Sequence, residues 1–263
     1  MIKSVCWNLT SECNLNWQYC FRELNEEAQN FEKNLVVLNN LKEMGVERIT
    51  FSGGEPFLYP KILELIKEAH DMGFTCYIVS NGSLLNADNV RECLRYIDKI
   101  SFSCDSTKAY INDHIGRGAD SYEHVKGLIP EIRKYYGPDR LMIDINTVVT
   151  STLLNDLKEV DVMFKKINSE LSMYGISNWK IIRFYPLRGY AKENKDLYWI
   201  DDDIFARIKE YFGSVESFVN VDVRDIEDMD NDYIVSPCGI LKQSYKGSEM
   251  IIKSLRGGAN RVQ

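Results

Sequence analysis

Apolar positions along this chain alternate between two spacings, and the switches come at regular intervals. Ser4–Leu9, Arg48–Ser52, Thr75–Ser80, Lys99–Cys104, Leu141–Val149 and Trp179–Tyr185 are short runs bounded by turn residues, and each reads as a strand. Between them the apolar residues recur at helical spacing. Over Glu26–Met44 they are Phe31, Leu35, Leu38 and Leu41, with Gly45 as the stop. Helices are expected in the same way at Pro60–Met72, Asn86–Tyr96, Ser121–Tyr136 and Leu153–Met173. Gly73, Gly137-Pro138 and Gly175 supply stops after three of them.

Strict strand-then-helix alternation implies parallel strands joined by right-handed crossovers. An open doubly wound sheet and a barrel both satisfy it. The chain lacks a GxGxxG phosphate loop, so the six units fit an α/β fold of the partial (β/α)6 TIM type better. After Gly189 the pattern changes. Asp201–Phe212 reads as a helix, and Ser217–Val223, Tyr233–Val235 and Ile240–Tyr245 as short strands around the Ser236-Pro237-Cys238-Gly239 turn. The expected organisation is a core over residues 1–189 and a small α+β extension over residues 190–263 packed on it. The acidic run Asp222–Asp232 reads as a solvated loop.

Composition narrows the class only modestly. At 263 residues, 44% hydrophobic and 27% charged, the chain is ordinary globular material. A net charge of −7 argues against non-specific binding to nucleic acid or an anionic membrane. No apolar run approaches the ~20 residues that span a bilayer. The N-terminus lacks a signal-peptide pattern, so a cytoplasmic location is expected. Seven cysteines, an odd number, argue against a disulfide framework. Cys76, Cys93, Cys104 and Cys238 sit singly among apolar neighbours and read as small buried hydrophobes.

Cys13 and Cys20 differ, because they stand in the polar-aromatic loop Ser11–Arg22, where burial gives no reason for a thiol. In either architecture ligands lie at the C-terminal ends of the strands. Chemistry-bearing residues collect there: Cys13 and Cys20 after the first strand, Gly53-Gly54-Glu55-Pro56 after the second, Asn81 after the third, and Ser103 and Asp105 after the fourth. Asn146 and Arg183 stand on the fifth and sixth.

These motifs, taken in order, resemble those of the radical S-adenosylmethionine (SAM) enzymes, over roughly Val5 to Tyr185. The resemblance implies that Cys13 and Cys20 are ligands of a [4Fe–4S] cluster with one iron left open for SAM. It further implies that electron transfer from the cluster, fed by a donor such as flavodoxin or ferredoxin, cleaves SAM to a 5′-deoxyadenosyl radical acting on a small substrate. Gly53, Gly54, Glu55 and Pro56 resemble the family's GGEP turn, which receives the SAM amino group. Asn81 lies in the segment resembling the one near the SAM ribose. Ser103, Asp105 and Arg117 lie in motifs resembling those that bind the SAM carboxylate, and Tyr19 matches the aromatic position beside adenine.

Within the family the segments FSGGEPFL, IVSNGSL, SCDS and IGRG look most like the viperin-type nucleotide dehydratases. That likeness implies a nucleoside triphosphate substrate, with Asn146, Lys180 and Arg183 as substrate-side candidates. Asp144 departs from it, standing where those relatives carry a lysine, and a carboxylate beside a triphosphate is repulsive. No second cysteine group follows Arg183, which argues against an auxiliary-cluster, peptide-modifying enzyme. A radical SAM enzyme acting on a peptide or other substrate without such a cluster stays open.

Trp17 is the largest departure. It occupies the middle cysteine position of the family's CxxxCxxC loop, and indole offers an N–H donor but no iron ligand. Two alternatives therefore stand side by side: an enzyme of the family, or a cluster-deficient relative that keeps the fold and SAM binding. Cys6 and His114 read as core and surface residues respectively, not as replacement ligands.

Overall fold

The structure is a computed structural model that describes residues 2–24, 26, 28, 30–151, 157–215, 217, 219–229, 232–245 and 248–256. Its elements in chain order are β1 (Ser4–Asn8), α1 (Phe31–Glu43), β2 (Arg48–Ser52), α2 (Ile62–Asp71), β3 (Thr75–Ser80), α3 (Val90–Cys93) and β4 (Lys99–Ser103). There follow α4 (Ala109–His114), α5 (Ser121–Arg133), β5 (Met142–Val149), α6 (Leu157–Leu171) and β6 (Asn178–Arg183). The remainder is α7 (Gly189–Glu193), α8 (Lys195–Tyr198), α9 (Asp202–Ser214), β7 (Asn220–Arg224), β8 (Tyr233–Val235), β9 (Ile240–Tyr245) and β10 (Ser248–Ser254).

All ten strands belong to one sheet, in the order β10-β9-β8-β1-β2-β3-β4-β5-β6-β7. From β8 through β7 every neighbouring pair is parallel; β9 alone is reversed, pairing antiparallel with β8 on one side and β10 on the other. The fold is the expected α/β architecture, a partial TIM-type barrel. The sheet also runs on past Gly189 in both directions: β7 pairs with β6 at one flank, while β8 pairs with β1 at the other.

The two faces of the sheet divide the side chains by strand parity. One face carries Val5, Trp7, Ile49, Phe51, Cys76, Ile78, Ile100, Phe102, Ile143, Ile145, Trp179 and Ile181, all buried in the main core. The helices cover this face. α2, for example, buries Ile62, Leu65, Ile66 and Ala69, an i, i+3, i+4, i+7 stripe. The opposite face is mainly polar: Cys6 and Asn8 on β1, Arg48, Thr50 and Ser52 on β2, and Lys99, Ser101 and Ser103 on β4, with Tyr77 and Val79 of β3 between them. Asp144 and Asn146 on β5, Lys180 on β6, and Asp222 and Arg224 on β7 continue it. Fully closed barrels fill this inner face with branched apolar residues. Here it is a polar trough instead.

Several boundaries differ from the sequence reading for local reasons. α1 begins at Phe31 because the Asn30 side chain accepts the Lys33 N–H and caps it, although the helical pattern runs back to Glu26. The segment expected as a helix over Asn86–Tyr96 forms one turn, α3, since the Asn86 and Asn89 side chains bond nearby backbone N–H groups. The beginning of the Leu153–Met173 helix lies outside the described residues. Part of the Asp222–Asp232 run expected as loop is instead strand: β7 carries Asp222 to Arg224. No described helix is long and apolar enough to cross a membrane.

Candidate cofactor and substrate site

The C-terminal strand ends form a rim, and the loop after β1 lies across it. Two glycines hold that loop down. A Cβ on Gly54 would stand 1.8 Å from the Glu12 carbonyl oxygen, and one on Gly53 would stand 2.5 Å from that of Thr10. The same approach lets Gly54 N donate to Thr10 O at 2.7 Å and Glu55 N to Glu12 O at 2.8 Å. Gly53 also adopts φ 129°, open to glycine alone. From the other side Gly116, at φ 82°, abuts the Asn16 carbonyl, where a Cβ would come within 2.5 Å.

Glu55 is fully buried and already engaged. Its Oε1 accepts from Phe57 N at 3.2 Å and Ser80 Oγ at 2.9 Å, and its Oε2 from Asn81 N at 2.9 Å. The carboxylate thus ties the turn after β2 to the end of β3. Burial pushes its pKa up, while these donors pull it down. Pro56 opens the one-turn 3₁₀ helix that Glu55 caps. Asn81 reaches back to the loop, donating through Nδ2 to Asn14 Oδ1 at 3.1 Å.

Arg117 lies at the centre of the rim with 3% of its surface exposed. Its Nε donates to Asp105 Oδ2, its guanidinium ion-pairs with the same carboxylate, and Nη1 donates to Ser103 O at 3.2 Å. Tyr19 adds its hydroxyl proton to Asp105 Oδ2, and Val148 N reaches Oδ1 at 2.7 Å. Burial and the Asp105 charge hold the Tyr19 hydroxyl well above the usual tyrosine range. The ring of Trp17 covers the remaining face of the cation, with Arg117 Cζ 3.6 Å from its centroid, a desolvated cation–π stack.

Cys13 and Cys20 stand on either side of Trp17 in the chain, both half-buried. Each sulfur accepts from a backbone N–H two residues on, Leu15 and Arg22, at 3.4 Å. Burial raises the pKa of both thiols. Among the described residues no three His, Cys, Asp or Glu side chains are grouped to hold a metal. Cys6 lies half-buried on the trough face beside Asn8, not in the core where the sequence reading put it, and burial raises its pKa to about 11. The donor set at the loop therefore does not fit a [4Fe–4S] cluster held by three thiolates, because an indole stacked on a guanidinium stands at the third corner.

Further down the trough, Asp144 has 0% exposure and binds two lysines. Lys99 Nζ lies 2.9 Å away and Lys180 Nζ 3.6 Å, while Asn178 Nδ2 donates to Asp144 Oδ1 at 3.0 Å. Burial lowers the Lys180 pKa, and neighbouring Lys99 adds to the effect. Asn146 stands on the same face, its Oδ1 buried without a hydrogen-bond partner among the described residues. Ser11 Oγ and Trp17 Nε1, in the loop, are in the same condition. A polar ligand would satisfy such atoms.

Arg183, the third substrate-side candidate, is not brought to this trough. It shares its sheet face with Trp179 and Ile181, pairs with Asp202 and with Asp225 at 3.1 Å, and packs on Trp199 and Phe205. Its odd-numbered parity with those two buried residues carried that information in the sequence. Lys99 is the converse. Alternation places Lys99 with Ser101 and Ser103 on the polar face, but its pairing with Asp144 across strands is legible only in the folded sheet.

Residues 7–163 match the family model of the radical SAM superfamily, and the chain belongs to that superfamily of enzymes. A relative from Flammeovirga pacifica described as an S-adenosylmethionine-dependent nucleotide dehydratase is 31% identical over 95% of this chain and 85% of its own length. A second with that description, from Lacinutrix mariniflava, is 29% identical over 83% of this chain, which spans only 46% of that relative. Among solved structures, Streptococcus suis SuiB bound to the precursor peptide SuiA superposes with a TM-score of 0.70 at 16% identity, covering 92% of this chain and 59% of SuiB. Native anSMEcpe with bound AdoMet gives 0.63, also at 16% identity, covering 91% and 73%. These structural likenesses concern the fold.

Proposed function

We propose that this chain is a viperin-like member of the radical SAM superfamily that binds SAM at the strand rim and a nucleotide-class small molecule in the polar trough. As written, its cluster corner is occupied by Trp17. The Trp17–Arg117 stack carries this reading. The position that would supply a third thiolate instead caps the buried Tyr19–Asp105–Arg117 group. The SAM side rests on the Gly53–Pro56 turn, Asn81, Tyr19 and the Ser103–Asp105–Arg117 group. The substrate side rests on Asn146 and Lys180. The nucleotide class comes from the relatives named as nucleotide dehydratases.

Metal-free protein titrated with SAM in a calorimeter should show saturable binding. Anaerobic reconstitution with iron and sulfide should leave wild type well short of the iron content of a [4Fe–4S] cluster, about four irons per chain. Trp17→Cys should approach that value and, with dithionite and SAM, release 5′-deoxyadenosine. Wild-type protein that loads about four irons per chain and cleaves SAM would sink the cluster-deficient reading. That outcome would support a second one, turnover by the chain as it stands, favoured by the retention of both Cys13 and Cys20.

A further inference from the structure

In the loop after β1, Ser11 Oγ and Trp17 Nε1 are buried without a hydrogen-bond partner among the described residues. Each stands against a different turn of the rim. Ser11 lies by the turn after β2, where a Cβ on Gly54 would come 3.0 Å from the Ser11 carbonyl oxygen. Trp17 lies on Arg117, just after α4. Gly116 fixes that second position. A Cβ there would stand 2.5 Å from the Asn16 carbonyl oxygen and 3.6 Å from Trp17 Cα, so glycine alone lets the loop settle on the Arg117 turn. The Trp17 carbonyl accepts Cys20 N at 3.2 Å, closing the loop behind the ring.

With Arg117 Cζ 3.6 Å from the ring centroid, the indole N–H is a few ångströms from the guanidinium nitrogens. Arg117 Nε donates to Asp105 and Nη1 to Ser103 O. Nη2 touches Asp105 as an ion pair but has no aligned hydrogen bond among the described residues. Each Nη carries two hydrogens, so the fork keeps donors for a further acceptor. Trp7 Nε1 is unpartnered as well, but Trp7 is fully buried beneath the helices and stacked on Phe51 at 6.1 Å. Trp17 differs in being half-buried at the rim, beside a cation.

We propose that the Trp17 indole N–H is a ligand donor: with Arg117 Nη2 it binds the carboxylate of an amino-acid head group, that of SAM. The inference rests on the SAM reading above and adds to it the one loop residue that departs from the family's motif. Where that motif would set an iron-bound thiolate, this chain sets a neutral donor. Indole cannot ligate iron, but it donates one directional hydrogen bond. A buried indole N–H ordinarily has a partner, and a carboxylate accepts from a guanidinium and an indole at once. Ser11 Oγ, by the Gly54 turn, can accept from the ammonium of the same head group. Such a head group is neutral overall, so it adds no net charge to the buried Asp105–Arg117 pair.

Calorimetric titrations of the metal-free full chain should compare SAM, decarboxylated SAM and 5′-methylthioadenosine, which lacks the whole head group. Wild type is expected to bind SAM about ten times or more tighter than decarboxylated SAM. Trp17→Phe keeps a ring over Arg117 but removes the N–H. It should weaken SAM binding about tenfold and leave the other two ligands within about twofold. Equal wild-type affinity for SAM and decarboxylated SAM overturns the proposal. So does unchanged SAM affinity in Trp17→Phe, which leaves the SAM reading intact, or equal weakening of all three ligands. Should the variant not fold, ¹⁵N NMR of wild type reads the same bond. One of its four indole N–H signals should shift when SAM is added and stay put with decarboxylated SAM. No shift, or equal shifts with both, overturns the proposal. Binding of none of the three ligands overturns the SAM reading as well.

Discussion

A methyl group at position 54 has nowhere to go, since the Glu12 carbonyl oxygen lies 1.8 Å from where it would be built. Gly54→Ala should lift the loop that carries Cys13, Trp17 and Cys20. The expected loss is about 2–4 kcal/mol, read as a fall in Tm by thermal denaturation. Unchanged Tm would mean that the loop shifts freely. Residue-scale chemistry was partly legible in sequence. The doubled glycine announced close backbone approach, but the approaching partner is the chain's own loop. Likewise Arg117 entered the site only through the resemblance of its motif, and its commitment to Asp105 joins elements that periodicity cannot relate.

A second residue-scale prediction concerns Glu23 and Glu26. Burial and the neighbouring Glu26 push the Glu23 carboxyl up to about 7, from an ordinary 4.5. The folded chain therefore keeps that proton between about pH 4.5 and 7 while the unfolded chain has released it, and stability falls as pH rises across the window. For Glu26, burial opposes ionisation, but hydrogen bonds with Glu23, Cys238 and Ser236 and the Lys242 charge together outweigh it and lower its pKa, so its contribution changes only below the ordinary value. Glu23→Gln removes the proton that titrates. The Tm of the variant relative to wild type should rise by about 2 °C or more between pH 5 and pH 8. A difference that stays flat with pH would show that the carboxyl titrates normally.

Among elements, the parallel strands were the most legible, because each is a short run with one buried face and its neighbours repeat the pattern. β4 reads Lys-Ile-Ser-Phe-Ser and β2 reads Arg-Ile-Thr-Phe-Ser, with apolar residues under the helices and polar ones in the trough. The short elements α4, α7 and α8 escaped notice because four to six residues are too few to establish a helical period. β10 escaped for another reason: Met250, Ile251 and Ile252 are consecutive and all exposed, so the strand has no alternation to read. A bulge between Ile251 and Lys253 breaks its register as well.

For the whole molecule, the decisive feature is that residues after Gly189 complete both flanks of the sheet. A fragment ending at residue 189 would leave β1 and β6 as bare edges, a known hazard for aggregation. Such a fragment is expected to be insoluble or to lack a cooperative thermal transition by circular dichroism, whereas a soluble, cooperatively melting fragment would show that the core stands by itself. The pairing of Cys6 on β1 with Ile234 on β8 has a further consequence for how the protein is made. During synthesis β1 emerges well before β8, one of its two neighbours. Until then its hydrogen-bonding edge must be shielded by transient contacts or by a chaperone. Contacts of such long sequence separation also slow folding. A ribosome paused before residue 234 would therefore carry a chain in which β1 is still half unpaired.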